Sequence, residues 1–258
     1  MTIATDNRSH HIGLPAAGLL TRSVSLGYGI AVYAILLAMF LYGIGFINGL
    51  VVSRSIDTGN VWPSSVAFCI DIQLLGLFAI QYSGMARRGF SRLTSNHATS
   101  AREQSTYVLC ASLVLILFFA AWQPLPAMVW QAADPRTAAA IRSLSLLGWL
   151  IAFLSTSSHF ELFARKQVLL NFAGRGESAV QFQTHGLYRF VRHPIYLGFI
   201  LAFWAAPVMT AGHFLFASVT TAYMFVGIWL EERGLVALFG DRYWEYRERV
   251  AMLLPGIF

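Results

Sequence analysis

Charge is scarce in these 258 residues. Asp, Glu, Lys and Arg together make up 12% of the chain, where globular domains carry about 25%. That excludes an ordinary water-soluble domain, whose surface needs roughly twice as much. Cysteine is scarcer still, with only Cys69 and Cys110, both inside apolar runs and far apart. No disulfide framework and no cysteine-based zinc pattern can be built from such a pair, and both read as small buried hydrophobes. The His10-His11 pair near the N-terminus lacks metal-ligand spacing, so no metal is expected. No internal repeat or low-complexity segment is visible, which argues against a repeat-built transporter. Met1–Thr21 lacks an apolar stretch before a small-residue cleavage site, so the first apolar span is expected to remain in the mature protein.

What is abundant is hydrophobic side chain, 57% of the chain. Several runs reach the ~20 residues that cross about 30 Å of hydrocarbon at 1.5 Å per residue. The composition is that of an all-α polytopic membrane protein, a single embedded domain over 1–258 with a polar N-terminal tail over 1–24. Six apolar helices are expected, at Ser25–Val52, Pro63–Met85, Ser105–Trp122, Ala138–Phe160, Ile195–Pro207 and His213–Leu230. Five to six of them would span the membrane. The fifth is short, and Pro207 with Thr210, Ala211 and Gly212 marks a break, so the last two form a C-terminal hairpin.

A net charge of +6 suggests nucleic acid at first sight, but the basic residues lie in short loops between apolar runs, where they orient a membrane protein instead. Nucleic-acid binding is therefore rejected. With the N-terminus cytoplasmic, fifteen of the 18 basic residues fall inside, leaving Arg54, Arg136 and Arg142 outside. This bias predicts cytoplasmic N- and C-termini, with lipid as the surrounding partner. Trp122 and Trp130 fit an interfacial belt. Asp71, flanked by Ile70 and Ile72, is an ionisable group at membrane depth, expected to bond to another helix, with Gln73 as a possible companion.

Polar residues gather on the cytoplasmic side, in Glu161–Arg192 and Glu231–Arg249, which the hairpin brings together. The first holds His185-Gly186-Leu187-Tyr188, then Arg192-His193-Pro194-Ile195-Tyr196-Leu197-Gly198. The second holds Glu231-Glu232-Arg233, then Phe239-Gly240-Asp241-Arg242-Tyr243-Trp244-Glu245-Tyr246. This order resembles the isoprenylcysteine carboxyl methyltransferase superfamily over roughly Gln183 to Pro255. The resemblance implies a cofactor-binding part over 183–255 for S-adenosyl-L-methionine, formed by His185, Gly186, Leu187, Tyr188, Arg192, His193, Pro194, Tyr196, Leu197, Glu231, Glu232, Tyr243 and Tyr246. The chemistry agrees. Carboxylates suit a sulfonium and an ammonium, Arg and His suit a carboxylate, and aromatic faces suit adenine or a cation.

A second cluster, Ser158-His159-Phe160-Glu161-Leu162-Phe163-Ala164-Arg165-Lys166-Gln167-Val168, ends the fourth helix. With Gln81-Tyr82-Ser83-Gly84-Met85-Ala86-Arg87 and Glu103-Gln104-Ser105-Thr106-Tyr107, it is similar to the bacterial methanethiol S-methyltransferases within that superfamily, extending the likeness to about Phe68–Pro255. Tyr82 and Ser158 stand where those proteins often have His and Asn. The likeness implies a small-thiol acceptor, catalytic roles for His159, Glu161 and Arg165, and substrate contacts from Gln81, Ser83 and Gln167. A thiol must become a thiolate to attack, and His159 is the side chain suited to take its proton; His193 is the rival base. Other acceptors stay open, a prenylcysteine carboxylate or a phospholipid amine, as does a non-enzymatic role in transport or assembly.

Overall fold

The structure is a computed structural model that describes residues 19–94, 101–173 and 186–256; for residues 19–26, 29, 82, 84–94, 101–107 and 157–173 it describes the backbone alone. It is built from α1 (Leu19–Asn48), α2 (Ser64–Thr94), α3 (Ala101–Ala121), β1 (Met128–Gln131), α4 (Pro135–Ala173), α5 (Pro194–Trp204), β2 (Val208–Thr210), α6 (Ala211–Phe239) and α7 (Asp241–Arg249). A short 3₁₀ turn, Gly186–Arg189, precedes α5. Segments within α1, α2, α4 and α6 are long and apolar enough to cross a membrane, and Val108–Ala121 and Pro194–Trp204 are shorter apolar helices. Large apolar side chains such as Leu144, Leu147, Leu150 and Phe153 stand exposed on α4, as a lipid-facing surface requires.

Helix starts follow local chemistry. Pro135 opens α4 after Asp134, whose carboxylate accepts from the Thr137 amide at 2.9 Å. Pro194 likewise opens α5, and the Thr210 hydroxyl caps α6 by accepting from the His213 amide at 3.1 Å. Several helices outrun the apolar runs that announce them. α2 continues to Thr94, α4 to Ala173 and α6 to Phe239, because hydropathy marks where lipid ends and not where helical hydrogen bonding ends.

α5 has only 11 residues, about 16 Å of rise, too little to cross the hydrocarbon alone. Extended chain follows it, and the polar backbone there is paired. β2 runs antiparallel to β1, and the amides of Ala132, Ala211 and Gly212 donate to the carbonyls of Pro207, Ala127 and Leu125. The hairpin expected from the sequence is thus a helix, a paired extended segment and a long helix.

The packing is closest between α4 and α5. A Cβ on Gly148 would lie 2.5 Å from the Ala202 amide nitrogen, and one on Gly198 would lie 2.6 Å from the Ala152 nitrogen. Two glycines therefore let the backbones touch, and the buried Ser145 hydroxyl donates to the Ala202 carbonyl at 2.8 Å across the seam. Around it lies an aromatic core of Phe46, Phe118, Phe119, Trp122, Trp149, Phe203 and Phe216.

Three expectations are corrected here. Trp122 is 1% exposed and donates its indole N–H to the Ile56 carbonyl, so it belongs to the core and not to an interfacial belt. Trp130, partly exposed, keeps a rim position with its indole bonded to the Ala206 carbonyl. Cys69 and Cys110 are exposed, not buried, because their apolar runs turn these positions outward. Asp71 is completely buried and accepts from the Gln123 amide at 2.9 Å, a structural bond to the chain just beyond α3, while Gln73 is exposed.

Candidate active site

The Glu231–Glu232 end of α6 meets the segment that leads into α5. Arg192 and His193 stand immediately before Pro194, where the chain is not yet helical and its amides are free to pair elsewhere. They pair with the C-terminal segment, the Arg192 amide donating to the Ala251 carbonyl at 2.8 Å and the His193 amide to the Met252 carbonyl at 3.1 Å. The two stretches thus lie side by side as a short parallel bridge.

Side chains close the junction. One Glu232 oxygen, Oε1, accepts from Arg192 Nε at 2.8 Å and faces His193 Nε2 at 3.2 Å; the other, Oε2, lies 3.4 Å from Arg247 Nε. Arg192 Nη1 also donates to the carbonyls of Arg247 and Val250. Arg192, His193 and Glu232 are buried. A buried charge is tolerable only when it is paired and hydrogen-bonded, and here one carboxylate is shared among two guanidinium groups and an imidazole.

Glu231 differs. Its side chain is 48% exposed, and its Oε2 lies 3.7 Å from His193 Nδ1. It is a carboxylate held beside a buried imidazole yet open on its other side, suited to an external cation.

Aromatic residues of α7 complete the arrangement. Tyr243 is buried, with its ring 5.8 Å from that of Tyr246, and the Tyr246 hydroxyl donates to the Tyr188 carbonyl in the 3₁₀ turn. Burial raises the Tyr246 phenol to about 12, with Arg192 opposing and Glu232 adding to the shift. Tyr188 and Tyr243 are also raised, chiefly by burial, so all three remain neutral hydrogen-bonding groups at physiological pH. Tyr196 packs against His193 with ring centroids 5.7 Å apart, and its hydroxyl lies against Gly227 of α6.

Of the residues that the sequence resemblance assigned to cofactor binding, Tyr188, Arg192, His193, Tyr196, Glu231, Glu232, Tyr243 and Tyr246 come together here. Pro194 and Leu197 open α5 beside them, and Gly186 and Leu187 form the 3₁₀ turn, Gly186 with φ 65°, a value that suits glycine. His185 lies outside the described residues. The helix α4 carries His159, Glu161, Arg165 and Gln167, whose side chains lie outside the described residues too. On α2, Gln81 is half-buried and Ser83 bonds to the Tyr223 hydroxyl of α6 at 2.9 Å. Two contributors were not singled out from the sequence. Arg247 could have been found as the residue one turn after Tyr243 on the same helix face, whereas nothing local marks Tyr223.

Among the described residues no three His, Cys, Asp or Glu side chains approach closely enough to hold a metal. A family model described as "Protein of unknown function (DUF1295)" matches residues 80–249. Methanethiol S-methyltransferase 1 of Bradyrhizobium diazoefficiens is 49% identical over 97% of this chain and 89% of that protein. The chain belongs to the methanethiol S-methyltransferase family. Methanethiol S-methyltransferase of Mycobacterium tuberculosis, another member, is 44% identical over 92% of this chain and 98% of its own length. Nurim of Xenopus laevis is a more distant relative of this family, 29% identical over 81% of the chain. No solved structure matches.

Proposed function

We propose that this membrane enzyme transfers the methyl group of S-adenosyl-L-methionine to methanethiol, giving dimethyl sulfide. The observation that carries the reading is the near full-length identity to proteins named for that reaction. The donor fits the charged clasp. Its ammonium and sulfonium suit the half-exposed Glu231 and the neighbouring aromatic faces, and its carboxylate suits the basic side of the cluster, Arg247 and His193.

When bound, the donor supplies an electrophilic methyl group on a positively charged sulfur. A thiolate sulfur attacks that carbon in line, a new C–S bond forms, the old one breaks, and S-adenosylhomocysteine leaves neutral at sulfur. The protein's part is to position the two sulfurs, exclude water and accept the thiol proton. His159 takes that proton, with Glu161 and Arg165 beside it in sequence on α4, and Gln81, Ser83 and Gln167 confine the acceptor. The enzyme sits in the bacterial inner membrane with both termini and the reaction mouth cytoplasmic, an orientation that the distribution of basic residues supports.

A panel of acceptors tests the reading. Methanethiol, a longer alkanethiol and a prenylcysteine are offered with radiolabelled donor to the purified protein. Transfer to methanethiol above the others is expected, whereas preference for prenylcysteine would replace the acceptor, and donor binding without transfer to any acceptor would point away from enzymatic thiol methylation.

A further inference from the structure

Between α2 and α6 lies a small cavity of about 20 Å³, walled by Leu75, Phe78, Ala79, Val219, Thr220 and Tyr223. One water-sized group needs about 10–15 Å³, so the walled part of this half-open space holds a group of one or two heavy atoms. Its walls are almost wholly apolar. The Thr220 hydroxyl is turned away to the Phe216 and Ala217 carbonyls of its own helix. Such a lining would hold a methyl group and gives water few partners.

The cavity stands in a defined relation to the charged clasp. At 100° per residue, Thr220, Tyr223, Gly227 and Glu231 fall within about 80° of one another on α6, while Glu232 points about 100° away from Glu231. Tyr223 precedes Glu231 by eight residues, about 12 Å along the axis. Between them Gly227 meets the hydroxyl of Tyr196, where a Cβ would come within 3.3 Å of it. One face of α6 therefore runs from the open carboxylate, past Tyr196, to the apolar cavity.

Two hydrogen bonds hold that end in place. The Tyr223 hydroxyl donates to the Ala79 carbonyl at 3.1 Å and so must accept from the Ser83 hydroxyl, 2.9 Å away, since a phenol has one proton to give. Ala79 is itself a cavity wall. Tyr223 and Ser83 are positioning residues that set the separation of the two helices lining the space.

We infer that this α2–α6 cavity receives the alkyl end of the acceptor thiol and sets its permitted length, with the sulfur directed along the Gly227 face toward the Glu231 end. The inference rests on the thiol-methylating reading and adds to it the origin of acceptor size. A chain longer than the walled space must leave it by the open side, away from the contacts of Val219, Leu75 and Phe78, and one methylene in or out of an apolar pocket is worth about 10–200-fold in selectivity.

The test compares methanethiol, ethanethiol and 1-propanethiol as acceptors for the wild type, Val219→Ala, Ala79→Val and Tyr223→Phe, with affinity for S-adenosylhomocysteine measured by calorimetry alongside. Val219→Ala should raise the ethanethiol-to-methanethiol ratio of kcat/KM by about 10-fold. Ala79→Val should lower kcat/KM for methanethiol by a similar factor, and Tyr223→Phe should raise KM for the thiol more than it lowers kcat. All three should bind S-adenosylhomocysteine as the wild type does. If the folded variants change all thiols in equal proportion, the cavity is only a packing gap and the inference falls while thiol methylation stands. If the wild type methylates no thiol, both fall together.

Discussion

Arg192 and Glu232, forty residues apart in sequence, meet at 2.8 Å with both side chains buried, and this contact joins the entry to α5 to the end of α6. Arg192 also holds the Arg247 and Val250 carbonyls, so one guanidinium ties three segments together. The pair shapes the end of the molecule proposed to hold the cofactor, while the neighbouring Glu231 stays open to solvent.

Replacing either partner should damage the clasp. Arg192→Ala takes from the buried Glu232 its closest partner, Glu232→Ala leaves the buried Arg192 without its carboxylate, and each should weaken S-adenosylmethionine binding by roughly 2–4 kcal/mol. Both should also lower the melting temperature. Glu231→Gln should weaken binding with little change in melting, because its side chain is half exposed. Calorimetry with parallel thermal melts checks this; near-normal affinity in folded Arg192 and Glu232 variants would remove the clasp from the cofactor site.

The tyrosines give the clasp a pH dependence. The Tyr246 phenol is raised to about 12, so its neutral form is favoured in the folded protein. Its contribution to stability is complete below the unfolded value of about 10 and is lost as pH rises through 12. Tyr188 and Tyr243 are raised as well and act in the same direction. Thermal melts in detergent should be flat with respect to these groups up to about pH 10 and fall above it. Tyr246→Phe should fall less steeply, and superimposable curves would contradict the role given to its hydroxyl.

The α4–α5 seam depends on two missing side chains. Gly148→Ala would place a Cβ 2.5 Å from the Ala202 nitrogen, and backbone cannot yield as a flexible side chain can. A cost of about 1–3 kcal/mol is expected, seen as a lower melting temperature. Gly76→Ala is the internal comparison. Nothing lies within 4 Å of its added Cβ, so it should be neutral or slightly stabilising.

His159 is proposed as the base. His159→Ala should lower kcat by about 10²-fold or more and leave cofactor affinity nearly unchanged, because a base acts in the transition state. Raising pH should partly restore the rate, since hydroxide then supplies thiolate. An unchanged kcat at neutral pH, with chemistry shown to be rate-limiting, would eliminate His159 and leave thiol activation to the field of the sulfonium.

The helices were legible because lipid imposes long apolar runs, and the hairpin because Pro207 and Gly212 interrupt one. The convergence of Arg192, His193, Glu231 and Glu232 could be anticipated, since a hairpin must return its two polar ends to one face. The unequal roles of the two glutamates could not. Adjacent residues on a helix point about 100° apart, and only packing against the α5 entry shows that Glu232 is enclosed while Glu231 is open. The paired extended segment after α5 was also hidden, because Met128–Gln131 finds its partner nearly eighty residues away. Trp122 misled for a related reason: its position near a span's end suggests the interface, but the bond to Ile56 draws it inward.

The most direct measurement follows the labelled methyl group. Purified protein in lipid is incubated with methyl-labelled S-adenosylmethionine and methanethiol, and the headspace is analysed for dimethyl sulfide. Labelled dimethyl sulfide should form in a one-to-one ratio with S-adenosylhomocysteine. Donor consumption without volatile label, or label recovered in the lipid fraction in place of dimethyl sulfide, would contradict methylation of the small thiol.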